Sequence, residues 1–225
     1  MRRPDLTAQE VRRLYTERTD LYHRFFGDLL GYGPGIRALV AASGLLASGQ
    51  RILDAGCGSG LVTRGLLAAA RQRGLTGITV DGFDLTPAML ARFGEWLRAS
   101  ATENVSLRLA DVLEPEALPD EWTGYDLVVS SAMLEYLPKA SLATALANLR
   151  ARLRPGGCLL FAITRRNPLM ALLIERWWRS HAYERGELEG HVRAAGFEVV
   201  RFERFPLPYR WLDLWGHVVV SRNPA

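Results

Sequence analysis

Residues 51 to 63 read Arg-Ile-Leu-Asp-Ala-Gly-Cys-Gly-Ser-Gly-Leu-Val-Thr, and they constrain the fold more than any other stretch of the chain. A short apolar strand, Ile52-Leu53, runs into Asp54. Gly56, Gly58 and Gly60 follow at alternate positions, and Leu61, Val62, Leu66 and Ala69 then recur at helical spacing. Strand, glycine turn and helix make the opening of a βαβ unit. Glycine suits such a turn because it tolerates positive φ and lets a ligand approach the bare backbone.

The loop matches neither of the two common phosphate fingerprints. A dinucleotide loop has a third glycine where this chain has Leu61, and a P-loop ends in Gly-Lys-Ser/Thr, which is absent. Asp54 also puts a carboxylate where a pyrophosphate would sit. A ligand carrying an ammonium and a sulfonium, and no phosphate, suits that carboxylate better. S-adenosylmethionine (SAM) is such a ligand.

Leu53-Asp54-Ala55-Gly56-Cys57-Gly58-Ser59-Gly60 resembles motif I of the class I SAM-dependent methyltransferases, and the resemblance runs from about Tyr15 to Val220. It implies an α/β fold: a Rossmann-like, doubly wound sheet of seven strands, mostly parallel with the last antiparallel, and helices on both faces. It implies SAM as methyl donor and S-adenosylhomocysteine as product. Gly82 to Leu90 resembles the second cofactor motif. There Asp84, ending a strand expected over Gly77–Phe83, would accept hydrogen bonds from the ribose hydroxyls, with Leu85 and Met89 flanking adenine. Thr86 and Pro87 are suited to cap and start the next helix. Val105, Leu107 and Leu109 alternate as a third strand leading to Asp111 and Val112. The family's adenine edge falls at these two: the carboxylate accepts from the exocyclic amine and the Val112 N–H donates to the ring. Tyr125 to Ser130 reads as a buried fourth strand, and Ser130 to Leu137 resembles the motif at the methyl-transfer face. Capping of a turn or helix is the competing role for each of these acids.

Composition narrows the class. With 225 residues, 48% hydrophobic and 23% charged, one domain with a sizeable core is expected. The expected layout is an N-terminal helical cap over residues 1–48 and a SAM-binding core over 49–225, with a lid-like insert at about 167–180. The net charge of +4 is almost all arginine, Lys139 being the one lysine, and it is dispersed, so no nucleic-acid partner is expected. Two cysteines argue against a disulfide framework and suit a reducing, cytoplasmic setting. No signal peptide or spanning segment is visible, and no His/Cys/carboxylate cluster at ligand spacing suggests a metal.

Two segments lie outside the repeating core. Before it, Thr7 and Glu10 have capping-box spacing, and Tyr15 and Tyr22 resemble the paired tyrosines ahead of motif I in quinone-type methyltransferases. After the fifth strand, expected over Cys158–Thr164, the stretch Pro168-Leu-Met-Ala-Leu-Leu-Ile-Glu-Arg-Trp177-Trp178 is too short to span a bilayer. It reads as a lid helix or, alternatively, as an interfacial helix with arginines near anionic headgroups, a peripheral membrane contact. Tyr15, Tyr22, Tyr136, Trp177 and Trp178 are therefore the expected walls of a pocket for a small, hydrophobic, ring-containing or lipid-like acceptor. His23, His181, His217 and Glu135 are candidate bases, none singled out by spacing. A catalytically silent SAM-binding module on the same fold is the alternative.

Overall fold

The computed structural model describes Thr7, Gln9, Glu10, residues 31–167 and residues 180–225. Tyr15, Tyr22, His23, Trp177, Trp178 and all of the insert between Asn167 and Ser180 lie outside the described residues, as does most of the cap before Gly31. The Thr7 capping box is present: the Thr7 N–H donates to Glu10 Oε2, and the Glu10 N–H to Thr7 Oγ1.

Seven strands form one sheet: β1 (Arg51–Ala55), β2 (Thr79–Asp84), β3 (Val105–Leu109), β4 (Tyr125–Ser131), β5 (Leu153–Thr164), β6 (Val199–Glu203) and β7 (Gly216–Arg222). Their order is β3-β2-β1-β4-β5-β7-β6. β1 to β5 pair in parallel, and β7 is antiparallel to both β5 and β6. The chain winds outward from β1 to β3, then returns to start β4 on the other side of β1. The carboxyl ends of β1 and β4 are thus the topological switch point, where open α/β sheets bind ligands.

Each strand feeds two cores because its side chains alternate. Leu53, Val128, Phe161 and Val219 enter one core, with Leu146 of α4 (Leu142–Arg152) and Leu188 of α5 (Arg185–Ala194). Ile52, Leu127, Leu160 and Val220 enter the other, with Leu39 of α1 (Tyr32–Ala42) and Leu66 of α2 (Leu61–Gln72). α3 (Pro87–Ala99) buries Met89 and Phe93. The doubly wound sheet, with helices on both faces, is as the sequence implies.

Three local readings change. Thr86 stands at a helix N-cap, but its side chain makes no capping bond there. β5 begins at Leu153 rather than Cys158: the Arg154–Gly157 turn is absorbed as a register shift between Tyr125 and Leu127 of the neighbouring strand. The glycines also divide by cause. A Cβ on Gly60, at φ 88°, would run into the Phe93 ring, and one on Gly56, at φ 72°, would sit 2.5 Å from the Met133 side chain. Only Gly58 of the three faces open space, with Asp84 Oδ2 at 4.0 Å. Gly60→Ala is therefore expected to destabilise the fold by at least about 2 kcal/mol, through overpacking against Phe93 and a left-handed alanine. A denaturant titration checks this; an unchanged midpoint would refute the packing argument.

Candidate active site

The carboxyl ends of β1 to β4 bring the expected acids into one crevice. Asp54 is fully buried at the end of β1. Its Oδ2 accepts a 2.6 Å hydrogen bond from the Thr63 hydroxyl in the first turn of α2, while Oδ1 is buried with no hydrogen-bond partner. Burial pushes its carboxyl up to about 7, the Thr63 bonds opposing and nearby Asp84 reinforcing the shift. A buried carboxylate oxygen without a donor is costly unless a ligand supplies one. Ser130, next to last in β4, lies directly across from Ala55, and its buried hydroxyl likewise has no partner; its side chain leaves the sheet on the face opposite to that of Asp54.

Asp84, at the end of β2, is the tie of the glycine loop. Oδ2 accepts the Gly58 N–H at 2.9 Å and Oδ1 the Thr86 N–H at 2.8 Å. Instead of capping α3, the Thr86 hydroxyl also bonds to Asp84. Burial raises the Asp84 carboxyl above the ordinary range, against these bonds. Leu85 lies half-buried beside it.

Past β3, the Asp84 carbonyl accepts the Ala110 N–H, which sets Asp111 next to the β2 end. Asp111 Oδ1 accepts the Leu113 N–H, so this acid does cap its own turn, through one of its two oxygens. The Val112 side chain is buried in the α4-side core, and its carbonyl accepts from the Asn148 amide. Gly56, Gly58, Gly60, Leu85, Asp111, Val112 and Ser130 thus all fall on this one edge of the sheet with Asp54 and Asp84.

A second cluster stands one strand further along, and of its members sequence reasoning singled out Glu135 alone. The Tyr32 hydroxyl, at the start of α1, lies 2.5 Å from Ser131 Oγ at the end of β4. Glu135 is buried in the short 3₁₀ turn Leu134–Tyr136. Its Oε1 accepts from the Thr164 hydroxyl of β5 at 3.1 Å, and Oε2 is buried without a partner. Burial pushes Glu135 up to about 7. Burial, reinforced by Glu135, also pushes the Tyr32 phenol up. Between the two clusters Ala132 adopts φ 55°, a left-handed conformation unusual for alanine, which turns the chain so that Met133 covers Gly56.

His181 contributes its backbone N–H to the Glu135 carbonyl at 2.7 Å. His217 lies at the start of β7, on the far side of β5 from Ser131. Tyr136 is buried beside Glu135. Among the described residues, no group of three or more His, Cys, Asp or Glu side chains converges as a metal site, and no helix is long and apolar enough to cross a membrane.

Residues 52–157 match the family described as "Methyltransferase domain". The chain is 30% identical over 166 residues to the ubiquinone biosynthesis O-methyltransferase of Marinobacter nauticus, covering 68% of this chain and 65% of that protein. It is 28% identical to the carboxy-S-adenosyl-L-methionine synthase of Chromohalobacter salexigens, covering 57% of this chain and 47% of that one. The chain therefore spans less than two thirds of the length of either relative. Its fold is similar to that of magnesium protoporphyrin IX methyltransferase (ChlM) from Synechocystis PCC 6803 with bound SAM, at TM-score 0.70 and 16% identity over 99% of this chain and 100% of that one. Residues 52–157, just under half of the chain, are thus similar to a methyltransferase domain, and the fold around them is that of a solved methyltransferase.

Proposed function

We propose that this chain binds SAM at the β1–β4 switch point and transfers its methyl group to a small, hydrophobic, ring-containing or lipid-like acceptor. The observation that carries the cofactor reading is Asp54 Oδ1, buried without a hydrogen-bond partner at the end of β1. A buried carboxylate short of a donor fits the amine end of an amino-acid moiety, and SAM brings such an ammonium next to its sulfonium. Asp84 fits a pair of ribose hydroxyls, and Asp111 Oδ2 with the Val112 N–H fits an adenine edge. When bound, SAM supplies an electrophilic methyl on sulfur, so the protein chiefly has to orient its partner and handle a proton.

The acceptor side is proposed at the β4–β5 ends. Glu135 Oε2 takes the proton of the acceptor nucleophile, held in place through the Thr164 bond at the other oxygen. Tyr32 and Ser131 position the acceptor by hydrogen bonds. A carboxyl held near neutrality is well matched to that task. The hydrophobic class of the acceptor rests on the aromatic content of the segments flanking the core, Tyr15 and Tyr22 before it and Trp177 and Trp178 after it, with Tyr136 beside Glu135. The ubiquinone O-methyltransferase relative is in keeping with a ring-bearing acceptor. A screen of hydrophobic phenols, quinones and amines with methyl-labelled SAM tests this; label transfer to none of them, with SAM bound, would favour a non-methylating role. The carboxy-S-adenosyl-L-methionine synthase relative is the specific observation behind that second reading.

One linked prediction concerns protons. Asp54 and Asp84 have raised carboxyls without ligand, and a cationic ligand beside them favours their ionised forms. Binding of SAM near pH 7 should therefore release protons, and affinity should rise between about pH 6 and 8. Calorimetry in two buffers of different ionisation enthalpy reads the release directly; net proton uptake would contradict the placement.

A further inference from the structure

A second concave site lies at the other end of the same sheet edge. β5 ends at Thr164, β6 ends at Glu203 and β7 starts at Gly216, so three strand ends meet there. With the 3₁₀ segment Tyr209–Leu214 they border a cavity of about 450 Å³. Four of its walls are arginines from separate parts of the chain: Arg165, Arg185, Arg204 and Arg210. Only two acids line it, Glu203 and Asp213, and each already has an arginine partner. Glu203 pairs with Arg201, which is not a wall of the cavity, at 3.2 Å. Asp213 Oδ1 accepts the Phe205 N–H and Oδ2 lies 3.6 Å from Arg210. Arg204 is exposed and forms no ion pair or hydrogen bond among the described residues.

The charge is felt locally. His217 projects into this cavity, edge-on to Phe202 at 5.5 Å. Burial and the Arg165 and Arg185 guanidiniums hold its imidazole down at about 4, so it is neutral at pH 7. The lining of the cavity shares no residue with the Asp54, Asp84 and Glu135 clusters. Between them the chain is stitched to the end of β5, the Tyr183 N–H donating to the Thr164 carbonyl and the Arg166 N–H to the Tyr183 carbonyl.

We propose that this cavity binds a phosphate monoester, a dianion presented either by a soluble metabolite or by a lipid headgroup. Its lining carries two more positive than negative side chains, which a dianion balances. Guanidinium forks approaching from several directions match the three terminal oxygens of a phosphate better than the two of a carboxylate. The occupant is not the methyl donor, since SAM has no phosphate, and the proposal stands apart from the methyl-transfer reading.

The test uses the full chain. Glycerol 3-phosphate is titrated by calorimetry, and vesicles of phosphatidylcholine with phosphatidic acid are tested by co-sedimentation, each with inorganic phosphate as competitor. Saturable, phosphate-competed binding of either probe supports the site, and which probe binds identifies the source. Arg204→Gln and Arg165→Gln, made singly, should each weaken binding by about tenfold or more, with S-adenosylhomocysteine affinity and melting temperature unchanged. Because Arg204 is exposed and unpaired, its variant is expected to fold even if the other does not. No saturable binding of either probe would overturn the proposal. So would binding indifferent to both substitutions, or equal binding to vesicles of a monoanionic phosphodiester lipid.

Discussion

Asp84→Asn is expected to weaken S-adenosylhomocysteine binding by about 10- to 100-fold, corresponding to the roughly 1.5–3 kcal/mol that hydrogen bonds to a charged acceptor contribute. Asn keeps one oxygen acceptor, so it can still hold either the Gly58 or the Thr86 N–H, which Asp84 now holds together. Asp84→Ala removes both ties. It should therefore lose cofactor affinity and also stability, since two backbone donors at the glycine loop are left without their acceptor. Calorimetry with a parallel denaturant titration separates the effects. Unchanged affinity in Asp84→Asn, with the fold intact, would remove this residue from the cofactor site and leave it as a loop tie alone.

Glu135→Gln is expected to cut kcat for a hydroxyl-bearing acceptor by about 10²- to 10⁴-fold, the usual weight of a positioned base. Affinity for S-adenosylhomocysteine should barely change. The parent rate should rise with pH through about 7, as Glu135 ionises, and the variant should lose that step. Stability moves the other way. A carboxyl whose folded value is raised to about 7 from 4.5 stabilises the fold most when protonated. That contribution is present at pH 4 and is lost as pH rises through 7, because the folded state holds the proton that the unfolded state has released. Glu135→Gln should thus be more stable than the parent at pH 8, by at most about 3 kcal/mol. A variant that keeps full turnover and the same pH profile would mean that Glu135 only packs the turn behind Ser131.

The pattern around the acids proposed to hold the cofactor was legible because its parts are local. A strand ending in Asp54, a glycine turn and a helix form one continuous pattern, and Asp84 and Asp111 each follow an apolar strand in the same way. The seven-stranded, mostly parallel sheet followed from the alternation of strands and helices and from the family resemblance, not from any single residue. What the sequence did not reveal is long-range. Tyr32 and Ser131 are 99 positions apart and meet only because the fold brings the start of α1 to the end of β4. Glu135 and Thr164 are 29 apart, on a 3₁₀ turn and a strand. Neither pair leaves a periodic trace. Spacing suggested a ligand-facing role for all three glycines, whereas Gly56 and Gly60 are required by Met133 and Phe93, contacts that only the fold supplies. The arginine cavity was invisible for the same reason: its four guanidiniums are scattered over 46 positions of chain, from Arg165 to Arg210, and read as dispersed charge.

The most direct test of the central claim is titration calorimetry of the full chain with S-adenosylhomocysteine and, separately, with NAD. The account predicts one saturable site for S-adenosylhomocysteine, accompanied by proton release near pH 7, weakened in Asp84→Asn and unaffected in Glu135→Gln, with no binding of NAD. Tight binding of NAD with no response to S-adenosylhomocysteine would contradict it.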